Sequence, residues 1–195
     1  MEKEWIRLEK LDQNDFRRRI EGYIHEIRGT EYSKRRELIL LSYIKIENLI
    51  EICLIVIFNN YLSYLNVENK KSKEDIFRTK LATSKIRGLF PDAISGCSMS
   101  KKLCLLENYI DPKDFKKIKK TIYSIKELRN KAAHDQFFEY FMLYGNVDAK
   151  EFDIKYFNKI KQDLLDLLNI ILNLSIDIYG GCDKEFLTNM FLRTR

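Results

Sequence analysis

The sequence predicts an all-α protein, a single up-and-down helical bundle built around one long central helix. Three observations lead there. Seven Gly and two Pro in 195 residues are few, since average usage gives about 23 such breakers, so the frequent tight turns of a sandwich, barrel or propeller are missing. Apolar residues recur at three- and four-residue steps through most of the chain, the spacing of one helix face. Apolar residues make up 45% and charged residues 33% of the chain, enough to fill a core and solvate its surface, which excludes wholesale disorder.

Each element has its own signals. Asp12 is placed to cap a first helix, with Asp15 three residues on and Phe16, Ile20, Tyr23, Ile24 and Ile27 along one face, until Gly29-Thr30 ends it. A much longer helix is expected from near Ser33 to about Tyr64, carrying Leu38, Leu41, Ile44, Leu49, Cys53, Val56 and Tyr61. Only Lys45, Glu47, Glu51 and a few Asn interrupt its apolar surface. Such a helix belongs at the centre of the core, or at the centre and also at a subunit interface.

Val67 to Lys73 reads as a polar loop, and Ser72-Lys-Glu-Asp75 starts a helix that runs to about Leu89, where Phe90-Pro91-Asp92 stops it. After an irregular stretch, Ser100 is placed to cap a short helix from Lys101 to Tyr109. Asp111-Pro112-Lys113-Asp114 is a stronger start signal, with Asp as cap, Pro first and Asp third. Phe115, Ile118, Ile122, Ile125 and Leu128 follow in helical register, and the pattern continues towards Gly145-Asn146. Asp148-Ala-Lys-Glu151 opens the last helix, with Phe157, Ile160, Leu164, Leu167, Leu168, Ile171, Leu174 and Ile178 before Gly180-Gly181. Residues 1–195 read as one domain, with a core over about 12–180 and a tail at 181–195; no repeat or linker divides it.

Lys and Arg number 35 against 29 Asp and Glu, a net charge of +6 with a pI near 9.0, which suits a polyanionic partner. Cys53, Cys97, Cys104 and Cys182 are scattered without a C-x-x-C pair, as expected of reduced thiols in a cytoplasmic protein. The charged start, Met1-Glu-Lys-Glu-Trp5, does not read as a signal peptide. The longest apolar run, Ile52 to Phe58, is far short of the ~20 residues that cross a bilayer, so no membrane partner is expected.

Absences narrow the chemistry. No Walker A loop, G-x-G-x-x-G turn, H-E-x-x-H helix or G-x-S-x-G elbow occurs. With two histidines, His25 and His134, one chain cannot build a multi-histidine metal site, and Cys97 and Cys104 with His134 lack the spacing of a zinc site. No cofactor and no metal are therefore expected.

One segment remains, Glu127-Leu128-Arg129-Asn130-Lys131-Ala132-Ala133-His134-Asp135. In a helix Asn130 and His134 stand at i and i+4, where the amide can hold an imidazole nitrogen and select its tautomer. Arg129, five residues before His134, points well away from the imidazole. To share one substrate the two need a helix break, a long reach by Arg129, or a second copy of the chain, which favours a site completed by dimerisation. Ala132 and Ala133 are small enough for another backbone or a nucleic-acid strand to approach. A lone His on a bundle helix is usually structural; the added Asn and the apolar stripe leading into Arg129 favour a functional reading.

Arg129-Asn130-Lys131-Ala132-Ala133-His134 resembles the R-[N/D/H]-x-x-x-H form of the R-x4-6-H motif of HEPN domains, the higher eukaryote and prokaryote nucleotide-binding helical domains. The layout is similar too, over residues 12 to 180: a long apolar helix early, the motif in the second half, one more helix after it. The resemblance implies a helical bundle of the HEPN type and a metal-independent endoribonuclease site shared between two protomers of a homodimer. It implies a toxin or antiviral defence effector whose partners are RNA and an antitoxin or other defence component. Where toxins of this family paired with a nucleotidyltransferase commonly carry a Tyr two residues after the His, this chain has Gln136, with Tyr140 and Tyr144 further on.

The residue types fit such a reaction. RNA carries its own nucleophile, the 2′-hydroxyl, so cleavage to a 2′,3′-cyclic phosphate needs a base, an acid for the departing 5′-oxygen, and positive charge at the phosphorane. Histidine ordinarily titrates near neutral pH, which suits His134 to proton transfer. Arg129 offers a permanently charged planar fork to phosphate oxygens, and Asn130 orients His134 or holds RNA. Arg17-Arg18-Arg19, Lys34-Arg35-Arg36 and Lys116-Lys117 with Lys119-Lys120 read first as solvated faces and second as phosphate tracks. Glu37 and Glu47 are placed to tune His134 if they face it, His25 reads as structural, and Ser98 to Lys102 could hold an anion or simply cap a helix. The alternative function is a non-catalytic helical module for interaction, regulation or RNA binding.

Overall fold

The computed structural model describes residues 12–68, 89–134 and 149–179, and every regular element among them is helical. In chain order these are α1 (Gln13–Gly29), a 3-10 turn (Tyr32–Lys34), α2 (Arg35–Glu68), helical residues 89–95, α3 (Met99–Leu106) with a 3-10 turn (Glu107–Tyr109), α4 (Pro112–His134) and α5 (Ala149–Tyr179). The expected all-α architecture is therefore present. Contacts gather the chain into two compact units, one of Met1–Gln13, Leu49–Ile110 and Leu174–Arg195, the other of Asn14–Asn48 and Asp111–Asn173.

The second unit holds the Arg129 segment. Phe16, Ile20 and Ile27 of α1 are buried, as are Phe115, Ile118, Ile122 and Ile125 of α4 and Phe157, Ile160, Leu164, Leu167, Leu168 and Ile171 of α5. Each set follows the three- and four-residue spacing read from the sequence. Full burial of one such aliphatic side chain contributes about 1.5–3 kcal/mol. The end of α1 is closed from a distance: the Lys161 ammonium donates to the carbonyls of Arg28 and Thr30, 2.9 Å each, satisfying acceptors that a helix C-terminus leaves open.

In the first unit, Leu49 to Ile55 of α2 are all buried, which is possible only where a helix is covered on every side. The glutamate within that run, Glu51, pairs with the Lys102 ammonium of α3, their side chains 7% and 1% exposed. The Asn60 amide donates to the Ile178 carbonyl at 2.7 Å, tying α2 to α5, and Phe58 stacks on Phe90 with centroids 3.8 Å apart.

Several expectations are corrected. Phe90-Pro91-Asp92 does not stop a helix, because residues 89–95 are helical through Pro91; proline's fixed φ is itself helical, and what opposes it in a helix interior is the missing N–H and the clash of its ring with the carbonyl four residues before. The segment ends instead at Gly96, whose N–H donates to the Asp92 carbonyl. The short helix begins at Met99, with Ser98 rather than Ser100 at its N-cap position and making no side-chain cap bond. Leu41 and Ile44, named among the apolar positions of the long helix, are 39% and 54% exposed, so only part of its apolar surface is covered within this chain. The helix expected after Ser72, the pattern towards Gly145, the cap at Asp148 and the tail at 181–195 lie outside the described residues.

Candidate functional site

Helix α4 starts as its sequence dictates. The Lys113 N–H donates to Asp111 Oδ1 at 2.8 Å, a side-chain cap on an otherwise open donor, and Pro112 occupies the first position, where no N–H is needed. The helix then runs unbroken to His134. A helix break between Arg129 and His134, one of three ways to bring them together, is thus absent, and at 100° per residue their side chains diverge by about 140°.

Arg129 and Ala132 face α2. The Arg129 guanidinium lies over the Tyr43 ring, 4.7 Å from its centroid, a cation–π contact of roughly 0.5–2 kcal/mol. Its Nε is buried and has no hydrogen-bond partner among the described residues, and no carboxylate among them pairs with it. Ala132 is fully buried against Ile39, with Leu40 and Leu128 beside them. The close approach permitted by Ala132 is therefore made by α2 of the same chain and not by a nucleic-acid strand; Ala133 is exposed. Two turns before Tyr43 on α2, the Arg36 Nε–H donates to the Ala132 carbonyl at 3.0 Å.

Asn130 and His134 are exposed. No hydrogen bond links the two, so the tautomer-selecting contact expected at i and i+4 is not made. Glu37 is exposed and Glu47 half-buried. His25 is exposed and lines a groove of mixed character with Glu26, Glu31, Lys34, Glu37 and Leu41. In the segment Ser98 to Lys102, considered for an anion, Lys102 is held in the core by Glu51 while Lys101 is exposed.

Sequence reasoning missed Tyr43 and misjudged Arg36. Arg36 stands in the run Lys34-Arg35-Arg36, which reads as a solvated face, yet it is half-buried and bonded across 96 residues of sequence. Tyr43, seven residues on, lies two turns along the same face of α2; that spacing is the one signal that could have joined them.

Replacing Ala132 with leucine is expected to cost about 1–3 kcal/mol by overpacking this contact, whereas Ala133→Leu, on the exposed side, stays within about 0.5 kcal/mol. Urea denaturation of both variants checks the assignment of faces.

Helix α4 is strongly basic. It carries eight Lys and Arg against two acidic residues, a net of +6, equal to the net charge of the whole chain. Lys113, Lys116, Lys117, Lys119, Lys120 and Lys131 are exposed. A groove of about 360 Å³ between α4 and α5 carries Lys117, Lys120, Ser124, Tyr156 and Lys159, and also Asp163 and Asp166.

The remaining chemistry is limited. Burial pushes the Cys53 thiol up to about 12, so it forms no thiolate near neutral pH and is no nucleophile. Among the described residues no three His, Cys, Asp or Glu come together in a way that could hold a metal ion, and no helix is long and apolar enough to cross a membrane. Comparison with protein families, curated proteins and solved structures finds no match for this chain.

Proposed function

We propose that this protein is a metal-independent endoribonuclease of the HEPN type, a homodimer whose two copies of Arg129 and His134 form one composite site, acting as a toxin or antiviral defence effector. The observation that carries the reading is the Arg129-Asn130-x3-His134 segment at the end of an unbroken basic helix, with His134 and Asn130 exposed and Arg129 free of any carboxylate among the described residues. One chain diverges Arg129 from His134, and the Tyr43 contact shortens the reach of Arg129. A second copy supplies what one lacks.

In this mechanism an imidazole takes the 2′-hydroxyl proton, the 2′-oxygen attacks phosphorus, and a proton is delivered to the departing 5′-oxygen. The products are a 2′,3′-cyclic phosphate and a 5′-hydroxyl. Arg129 neutralises the charge that grows on the phosphorane oxygens, an effect present without any metal. Asn130, exposed on the His134 side of the helix, holds the RNA.

The lysine-bearing face of α4 gives the polyanion its attraction, since each phosphate neutralised releases counterions and makes affinity fall with salt. Lys117→Glu with Lys120→Glu is expected to weaken RNA affinity and to flatten the plot of log affinity against log salt by about 0.7 for each phosphate that is no longer neutralised. Fluorescence anisotropy with a labelled single strand at several salt concentrations measures both.

Incubation of purified protein with an RNA pool in EDTA tests the function. Cyclic phosphate ends are expected; intact RNA would overturn the catalytic reading. The packing of Arg129 on Tyr43 favours a second reading, a non-catalytic RNA-binding or regulatory module in which Arg129 is structural. It predicts that Arg129→Ala lowers the melting temperature while RNA stays uncut by every variant and by the native protein alike.

A further inference from the structure

The groove between α4 and α5, about 360 Å³ in volume, has walls of opposite charge. Lys117 and Lys120 stand on the α4 wall, Asp163 and Asp166 on the α5 wall with Lys159 one turn before them. The walls do not neutralise each other: among the described residues no ion pair crosses the groove. Lys117 approaches Asp114 on its own helix, at 3.9 Å, and Asp166 accepts from Gln162 on its own. Asp163, Lys120 and Lys159 have no partner among the described residues. Beneath these charges the floor is apolar, at Ile125 and Ile160, and Tyr156 adds an aromatic ring that is 38% exposed.

One end of the groove leads to His134. Phe157, near the start of α5, meets Tyr32 edge-on with ring centroids 5.5 Å apart, and further along Leu164 and Leu168 line a small cavity with Leu38, Ser42 and Ile46. Helix α5 therefore runs the same way as α2. Helix α4 runs against α2, since Ala132 is held at Arg36 and Arg129 at Tyr43, so α4 and α5 are antiparallel and Leu128 and Tyr156 mark the same end. His134 lies about 9 Å beyond Leu128 along α4, and around the helix it falls about 40° from Lys120, on the groove's rim.

Unpaired cations, an unpaired carboxylate and an aromatic ring over an apolar floor suit a ligand that joins anionic groups, flat rings and N–H donors, as nucleotides do. Lys117 to Leu128 spans about 16 Å of α4, room for several phosphates at the roughly 3.4 Å spacing of a stacked strand. We propose that this groove is a base-reading subsite for single-stranded RNA, in which Tyr156 stacks the base nearest His134 and Asp163 selects guanine further along the strand. The inference rests on the endoribonuclease reading and adds to it a preferred sequence beside the cut. Tyr156 accepts any base, because every base has a π face. Asp163 stands two turns on, about 10.5 Å away, and so meets a different base. Guanine presents N1–H and N2–H side by side, and one carboxylate accepts both in the bidentate, charge-assisted form. Uracil presents a single N–H between two carbonyl oxygens, which a carboxylate repels. The lysines meet phosphates and carry no base preference.

The probes are fluorescent 2′-O-methyl hexamers, which lack the nucleophile and bind without being cut: hexauridylate, and the same strand with one guanosine at each position in turn. Anisotropy with the native protein is expected to show at least about fivefold tighter binding for a guanosine at one position, the order of a good bidentate contact. Asp163→Asn abolishes that preference without weakening hexauridylate. Tyr156→Ala weakens every hexamer by about fivefold or more, and Tyr156→Phe leaves them as they were. Asp163 and Tyr156 are exposed, so the melting temperatures stay near wild type.

Equal affinity for all hexamers, or a guanosine preference that survives in Asp163→Asn, overturns the subsite, as affinities untouched by Tyr156→Ala overturn the stacking contact. His134-dependent cleavage of an RNA pool beside either result leaves the endoribonuclease reading standing. A guanosine preference that needs Asp163 in a protein that cuts no RNA sustains the subsite and ends the catalytic reading instead.

Discussion

On the proposed endoribonuclease reading, His134→Ala is expected to lower RNA cleavage by about 10²–10⁴-fold, the ordinary contribution of a positioned general acid or base, and to leave the fold intact. An intact fold is what makes the lower rate informative. His134 is the last residue of α4, exposed, and its side chain is hydrogen-bonded to nothing among the described residues. Removing an exposed side chain of this kind changes stability by no more than about 0.5 kcal/mol. A reduced rate with an unchanged melting temperature therefore locates the chemistry at the imidazole. The substrate provides an independent check: a strand with one 2′-deoxy sugar must resist cutting at that linkage alone, because the nucleophile is missing there. Cleavage that persists in His134→Ala, or that proceeds at the 2′-deoxy position, would exclude the proposed mechanism.

Glu51→Leu is expected to destabilise the protein by about 3–5 kcal/mol, far above the cost of an ordinary surface substitution. Glu51 and Lys102 meet inside the first unit with almost no exposure. Taking two charges out of water costs several kcal/mol per ion, which their attraction roughly offsets; removing one of the pair leaves the other charge buried without its counter-ion. Lys102→Met is expected to cost a similar amount. The double variant Glu51→Leu with Lys102→Met removes both charges, restores an apolar contact and is expected to return to within about 1–2 kcal/mol of wild type or to exceed it. Guanidinium denaturation of all four proteins completes the cycle. Single substitutions that each cost less than about 1 kcal/mol would show that the pair is solvated and contributes nothing to the first unit.

The parts of this fold that are local in sequence were legible. Asp111-Pro112-Lys113-Asp114 starts α4 because cap, proline and first-turn acid act within one turn, and the Lys113 to Asp111 bond is the physical form of that signal. Phe115, Ile118, Ile122 and Ile125 are buried because a surface helix turns one face to the core. Phe157 to Ile178 on α5 follow the same rule, with all eight expected positions buried. Pro91 and Ser100 misled for a related reason. A proline and a serine each have several compatible places at a helix end, and the packing of Ile94 and Met99 into the core chose between them.

The candidate site divides in the same way. Arg129, Asn130 and His134 stand out in the sequence through the whole segment and the motif it resembles, and the divergence of Arg129 from His134 around the helix follows from 3.6 residues per turn. That Glu51 is a core residue could not, since its partner Lys102 comes from another helix, and a glutamate on a long helix otherwise reads as an interruption at the surface.

By itself the sequence determined the helical class, the faces of α4 and α5, the motif and the excess of positive charge on α4, all of which depend on residues within a few turns of one another. Only the tertiary structure decided that Tyr43 receives Arg129, that Arg36 holds the Ala132 carbonyl and that α2 fills the space beside Ala132. Those contacts join positions far apart in the chain, 96 residues in the case of Arg36 and Ala132. Which side chains meet across such a distance depends on how two helices pack, and the short-range pattern along either helix carries no record of its partner.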